Sequence, residues 1–325
     1  MTPPLRNRLW AVGGGKGGVG KSVFTLLLAT GLARRGVNVI LVDADLGGAN
    51  LHALLGIRSS KLGLADFMER RVDTLEEVAE PTRIPNLRLI NGAEELLGIA
   101  NPKFSQKTRL LTHLERLSAE AILLDLGAGT STTSLDFFLY AAGKIAVLTP
   151  QVTSIQNAYG FIKASVFRKL TRVFTRDADA LELIHAAADS GNASAVRSVA
   201  DLRAAIGAMS PENEQLMARC TQELQMSLVL NMVREPRERD AARVVSSVAQ
   251  RYLDVSPDVL GIVDYDPELD RSINSMPKYL EGGRLGSARL GLYDITSKVL
   301  KRIREGVAPT PEPIFEPEDD PALTE

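Results

Sequence analysis

Two lysines stand five residues apart in a glycine-rich run, GGGKGGVGKS (residues 13–22). Within it, Gly15, Lys16, Gly17, Gly18, Val19, Gly20, Lys21 and Ser22 fit the pattern G-x-x-x-x-G-K-[ST]. The chemistry of that pattern is phosphate binding. Backbone N–H groups of a glycine turn, with the positive end of the helix that follows, surround phosphate oxygens. Lys21 is placed to reach the β- and γ-phosphates of a nucleoside triphosphate, and Ser22 to ligate Mg²⁺. One lysine is enough for this task, so Lys16, inside the turn, calls for a separate role.

Three aspartates stand at the ends of apolar runs. VILVDADLGGANLHALLGI (39–57) sets Asp43 and Asp45 at the end of an apolar run, and AILLDLGAGTS (121–131) ends another in Asp125 before a glycine-bearing loop. Glycines there let a loop change conformation when a γ-phosphate is present. A D-x-D at a strand end is by itself a weak signal. LVLNMV (228–233) sets Asn231 at a strand end, where an ordinary structural asparagine is an open alternative.

Positioning these groups requires strands that end at one edge. Short apolar runs ending at Gly, Asp, Asn or Pro alternate with helical-period segments: LWAVGG, VNVILVD, LRLIN, AILLDL, KIAVLTP, SLVLNMV and VLGIV. That alternation predicts an α/β fold, a doubly wound, mostly parallel sheet with helices on both faces. Residues 154–226 break the pattern with helical periodicity and no convincing strand, and are expected to form a helical insertion. Its first helix, FIKASVFRKLTRVFTR, carries Ile162, Val166, Leu170 and Val173 on one stripe and Arg168, Arg172 and Arg176 on another. The arginine stripe reads as a solvated face or as a docking surface for an acidic partner or nucleic acid.

The expected organisation is a short leader (1–8), one domain (9–305) and a tail (306–325) with five prolines, six acidic residues and no Lys or Arg, expected to be disordered. A net charge of −2 supplies no global field for nucleic acid or anionic lipid, so such binding would need a local patch. Cys220 is the one cysteine and the histidines are three scattered residues, which excludes a disulfide framework and a zinc cluster read from spacing. No secretory h-region and no run near 18 apolar residues is present, so a cytoplasmic location is expected.

With these motifs in order, the sequence resembles the deviant-Walker-A P-loop ATPases, the family of MinD, ParA, FlhG/FleN, Mrp and the nitrogenase iron protein. The hallmark K-G-G-x-G-K-[ST] falls on residues 16–22. The resemblance implies ATP and Mg²⁺ as ligands and an ATP-sandwiched homodimer in which Lys16 crosses to the facing subunit's phosphates. It assigns the attacking water to Asp45, support of the Mg²⁺ shell to Asp43, the Walker-B position to Asp125, a place near the dimer face to Asn50, and an adenine contact to Asn231. GIVDYDPELDRSINSMPKYL (261–280) resembles the segment that closes over the base, but Asp264 stands where MinD-like proteins carry proline.

Two details resemble the FlhG/MinD branch: D-x-G-A-G on residues 125–129, and the segment PQVTSIQNAYGFIK on 150–163. The implied function is an ATP-driven switch that positions or counts a cellular structure with a protein partner, in the cytoplasm or peripherally at the membrane or a pole. MinD and FlhG end in an amphipathic membrane-targeting helix. Here the last helix, residues 288–306, has Leu292, Ile295, Val299 and Ile303 on one side, and the acidic tail behind it disfavours an anionic leaflet. Alternatives are a ParA-like nonspecific DNA-binding ATPase, supported by the arginine stripe alone, and a metabolic or maturation ATPase. Within the latter, an iron protein is excluded by the single cysteine.

Overall fold

The computed structural model describes residues 5–45, 48, 50–57, 62–92, 102, 104–188, 198–282 and 286–306. The expected tail beyond Gly306 and the start of the leader lie outside them, as do residues 46, 47 and 49 of the first aspartate loop.

Eight strands form one sheet: β1 (Leu9–Gly13), β2 (Val39–Ala44), β3 (Ala79–Pro81), β4 (Leu87–Ile90), β5 (Ala121–Leu126), β6 (Gly143–Leu148), β7 (Ser227–Val233) and β8 (Asp258–Asp264). Their order is β3-β4-β2-β5-β1-β6-β7-β8, with every pairing parallel except the short β3 edge, which runs antiparallel to β4. The expected doubly wound sheet is therefore present. Its seven apolar runs are the seven parallel strands, and β3 is the addition. The alternation of side chains divides each strand between two apolar layers. Ala11, Ile40, Val42, Ile122 and Leu124 face one layer, whereas Trp10, Val12, Val39, Leu41 and Leu123 face the other.

Helices α1 (Lys21–Ala33) and α2 (Leu51–Leu54) lie on the second face; α3 (Leu64–Met68), α4 (Phe104–Arg116) and α5 (Thr132–Tyr140) lie on the first. Four helices occupy the β6-to-β7 connection: α6 (Val152–Val173), α7 (Ala178–Ala188), α8 (Val199–Met209) and α9 (Pro211–Glu223). Next come α10 (Ala241–Leu253), α11 (Pro267–Arg271), α12 (Met276–Gly282) and α13 (Arg289–Glu305). In α13 the stripe Leu292, Ile295, Val299 and Ile303 is buried on the second face of the sheet, so it does not face lipid. Among the described residues no helix is long and apolar enough to cross a membrane.

The arginine stripe of α6 is not a uniform solvated face. Asp136 of α5 is 1% exposed, and Arg168 turns inward to it, donating from Nε to Oδ1 at 2.8 Å and from Nη2 to Oδ2 at 3.1 Å. Lys107 of α4 donates to the same carboxylate at 2.8 Å. One buried carboxylate thus ties three helices together, and Arg168 is a structural cation. Removing one side of a buried ion pair leaves charge uncompensated, at a cost of about 3–5 kcal/mol. Asp136→Ala is expected to lose about that much stability in urea denaturation. Arg168→Ala should lose less, because Lys107 still neutralises Asp136.

Candidate functional site

The strand order places the ends of β2, β5 and β1 side by side, so the loops that follow them meet. Val12 pairs with Asp125, and Asp43 pairs with Asp125 across β2 and β5. Residues 14–20 form the turn between β1 and α1. Gly20 ends it at φ 82°, in the left-handed region that favours glycine, and a Cβ there would also meet Asn231 Nδ2 at 2.6 Å. Gly15 is needed for a different reason: a Cβ would lie 2.0 Å from the carbonyl oxygen of Asn157 in α6. The first turns of α6 therefore lean directly on the glycine loop.

Lys21 opens α1 and is 8% exposed, with its Nζ 3.4 Å from the Lys16 carbonyl oxygen. Burial lowers its pKa, opposed by the carboxylates of Asp125 and Asp45. The Lys16 side chain is exposed. The two lysines, five residues apart in one turn, thus have opposite environments.

Asp125 is buried, accepts from Thr25 Oγ1 at 3.0 Å, and lies beside Ser22, whose hydroxyl favours the charged carboxylate. Burial pushes its carboxyl up to about 7, and that of Asp43 up to about 6. Both oxygens of Asp43 are engaged by backbone: Oδ1 accepts from Asp45 N at 3.3 Å, and Oδ2 from Asn50 N and Leu51 N, each at 2.9 Å. Asp43 is thus an anchor for the loop that carries Asp45. Asp45 lines the cleft, and its carboxylate lies 2.9 Å from where a Cβ on Gly127 would be, in the loop after β5. That loop is also hooked to the glycine turn, Gly129 N donating to Gly14 O at 3.3 Å.

A cleft of about 570 Å³ runs from this cluster, along Gly17, Gly18, Gly20, Lys21 and Ser22, to the ends of β7 and β8. Asn50 and Asp45 line it on one side and Asn231 on the other. Asn231 donates from Nδ2 to Val19 O at 2.9 Å, so its amide braces the glycine turn from behind. Asp264 lines the cleft with its carboxylate paired to Arg239. Among the described residues no three His, Cys, Asp or Glu side chains converge on one point. Mg²⁺ takes one or two protein oxygens and fills its octahedron with phosphate oxygens and water. A hydroxyl and a desolvated carboxylate, Ser22 and Asp125, are a donor set of that kind.

The structure therefore brings together Gly15, Lys16, Gly17, Gly18, Val19, Gly20, Lys21, Ser22, Asp43, Asp45, Asp125 and Asn231 around one cleft and its supports. Sequence reasoning missed Thr25, Met232, Arg234 and Tyr265. Thr25 had a signal: it is a polar residue one turn after Lys21, between the apolar Phe24 and Leu26. Tyr265 lies within residues 261–280, the segment that the resemblance sets over the base, whereas Met232 and Arg234 had no signal.

Three comparisons bear on this geometry. A model of the CobQ/CobB/MinD/ParA nucleotide-binding domain matches residues 10–277. Among curated proteins, the antiactivator FleN of Pseudomonas aeruginosa is 23% identical, over 89% of this chain and 85% of its own. The septum site-determining protein MinD of Helicobacter pylori is 31% identical over 44% of this chain, which spans 53% of that relative's length. Among solved structures, MinD from Pyrococcus horikoshii, complexed with Mg-ADP, superposes with a TM-score of 0.59 at 17% identity, covering 91% of this chain and 98% of that one. That likeness is one of fold.

Proposed function

Because the chain belongs to the CobQ/CobB/MinD/ParA family of nucleotide-binding domains, we propose that it is a Mg²⁺-dependent ATPase switch that dimerises around ATP and governs the site or number of a cellular structure through a protein partner. The similarity to FleN over most of the chain, with that to the flagellum site-determining protein YlxH of Helicobacter pylori over 47% of it, supports a flagellar setting over DNA partition or metabolic ligation. The inward turn of Arg168 removes one cation from the surface that a DNA-binding reading relied on.

The observation that carries the proposal is the contrast between the two lysines. Lys21, buried at the start of α1, meets the β- and γ-phosphates of the ATP in its own cleft. Lys16 offers its own subunit a carbonyl while its ammonium faces solvent, where a second subunit's phosphates can receive it. A cation supplied across an interface stabilises charge that develops on the transferred phosphoryl group, so turnover waits for assembly.

Ser22 and Asp125 would hold Mg²⁺, which neutralises charge on the β- and γ-phosphates when bound. Asp45 orients the attacking water, and Asp43 sets the position of Asp45 through the backbone amides it binds. The Gly127–Gly129 loop, packed on Asp45 and hooked to Gly14, responds to the γ-phosphate and passes its state into α5.

The test is Lys16→Ala. It should bind ATP with nearly wild-type affinity in calorimetry, remain monomeric with Mg·ATP in light scattering, and lose turnover. A Lys16→Ala protein that hydrolyses ATP normally at low protein concentration would remove the trans role.

A further inference from the structure

The base end of the cleft has a wall that none of the assignments above uses. We propose that Arg234 and Tyr265 form a stacking platform for the nucleobase, so that this end holds the base by its face. The proposal rests on the reading of the cleft as a nucleotide site.

A bulge creates the wall. The register of β7 against β8 shifts between Leu230 and Val233, and Met232 sits at φ 60°. An extra residue in a strand re-aims the side chains around it. Here it turns Asn231 onto the Val19 carbonyl, sets Met232 against Gly20, and leaves Arg234 lining the cleft just beyond the strand. From the neighbouring strand end comes Tyr265. The Arg234 guanidinium carbon lies 3.5 Å from the centroid of its ring, a flat cation on a π face.

Both members are held in place by the protein itself. Glu238 Oε2 accepts from Arg234 N at 2.7 Å and from Glu235 N at 3.0 Å, which fixes the backbone of the arginine. Tyr265 N donates to Val233 O at 2.7 Å, its hydroxyl donates to Asp270 at 2.9 Å, and its carbonyl accepts from Ser287 at 2.7 Å. Neighbouring arginines are paired, Arg237 with Glu235 and Arg239 with Asp264. The Arg234 guanidinium, by contrast, makes no hydrogen bond or ion pair among the described residues and is exposed. One face of its plane lies on Tyr265, and its other face and its donors are uncommitted. Met232, Leu269 and Ile273 line the same end of the cleft with apolar surface suited to a planar ring.

The competing role for an uncommitted arginine in a phosphate-binding cleft is a phosphate contact, and the two separate cleanly. Titration calorimetry with Mg·ATP and with Mg·tripolyphosphate compares wild type, Arg234→Ala, Arg234→Lys and Tyr265→Leu. Arg234 is exposed, so its loss leaves the fold intact, and Arg234→Lys keeps the charge without the plane. Stacking predicts a loss of roughly ten- to a hundredfold in ATP affinity for all three variants, with tripolyphosphate affinity unchanged. Unchanged ATP affinity in Arg234→Ala overturns the platform. So does an equal loss for tripolyphosphate, which would make Arg234 a phosphate ligand, or full recovery in Arg234→Lys. A wild-type protein that binds neither compound overturns the nucleotide-site reading along with it.

Discussion

Lys21→Ala is expected to lower ATP affinity by roughly a hundredfold or more, the scale of truncating one member of a buried charge pair, about 2–5 kcal/mol. The loss has two parts. The charge-assisted contact to the β- and γ-phosphates disappears. In addition, Asp125 and Asp45, whose charges Lys21 offsets, then face the phosphates without a cation between them. The ligand-free protein should not suffer in proportion, because burial disfavours the lysine's charged form. Differential scanning calorimetry should show a melting temperature that has not fallen but no longer rises with ATP, as it must for a ligand that binds the native state. A variant that binds ATP normally would remove Lys21, and with it the cleft, from the mechanism.

Asp45→Ala should separate binding from turnover. If its carboxylate orients the attacking water, hydrolysis falls by on the order of 10²–10⁴-fold. ATP should still bind, since the glycine turn, Lys21 and Ser22 are untouched, and the γ-phosphate should persist. The ATP-bound dimer should then accumulate. Size-exclusion chromatography would show this variant mainly as a dimer with Mg·ATP, where wild type returns to monomer as it turns over. With ADP both should run as monomers. A dimer indifferent to nucleotide, or wild-type hydrolysis by the variant, would overturn the assignment.

The parts of this molecule that are legible in its sequence are those specified by neighbours along the chain. The glycine turn is contiguous, and its residues lie where the motif places them. The central strands β1, β2 and β5 are visible because burial on both faces makes each a nearly continuous apolar run. Strand β3 is not visible: it is three residues, AEP, with no apolar run and a proline, and only its antiparallel pairing with β4 makes it a strand. Arg168 failed for a related reason. Helical periodicity sets it on a stripe with Arg172 and Arg176, but its partner lies in another helix, 32 positions earlier, inside the apolar TTSLDFFLY. Met232 and Arg234 reach the cleft through a bulge in β7 that no local pattern announces. Asp43 shows a subtler limit. The resemblance implies support of the Mg²⁺ shell, and no pattern in the sequence shows that both its carboxylate oxygens accept from three backbone amides of the loop beyond it.

The central place of β1 also has a consequence in time. β1 ends at Gly13, but the strands on its two sides, β5 and β6, begin at Ala121 and Gly143. A ribosome adding ~5–20 residues per second leaves an interval on the order of ten seconds between the first strand and its neighbours. During that interval the phosphate-binding turn has been synthesised but has neither Asp125 beside it nor Asn157 and Asn231 behind it. Nucleotide can therefore meet a formed cleft only once most of the chain has emerged and its long-range pairings have closed. ATP present at that moment favours completion, because it binds the assembled sheet and not the nascent segments.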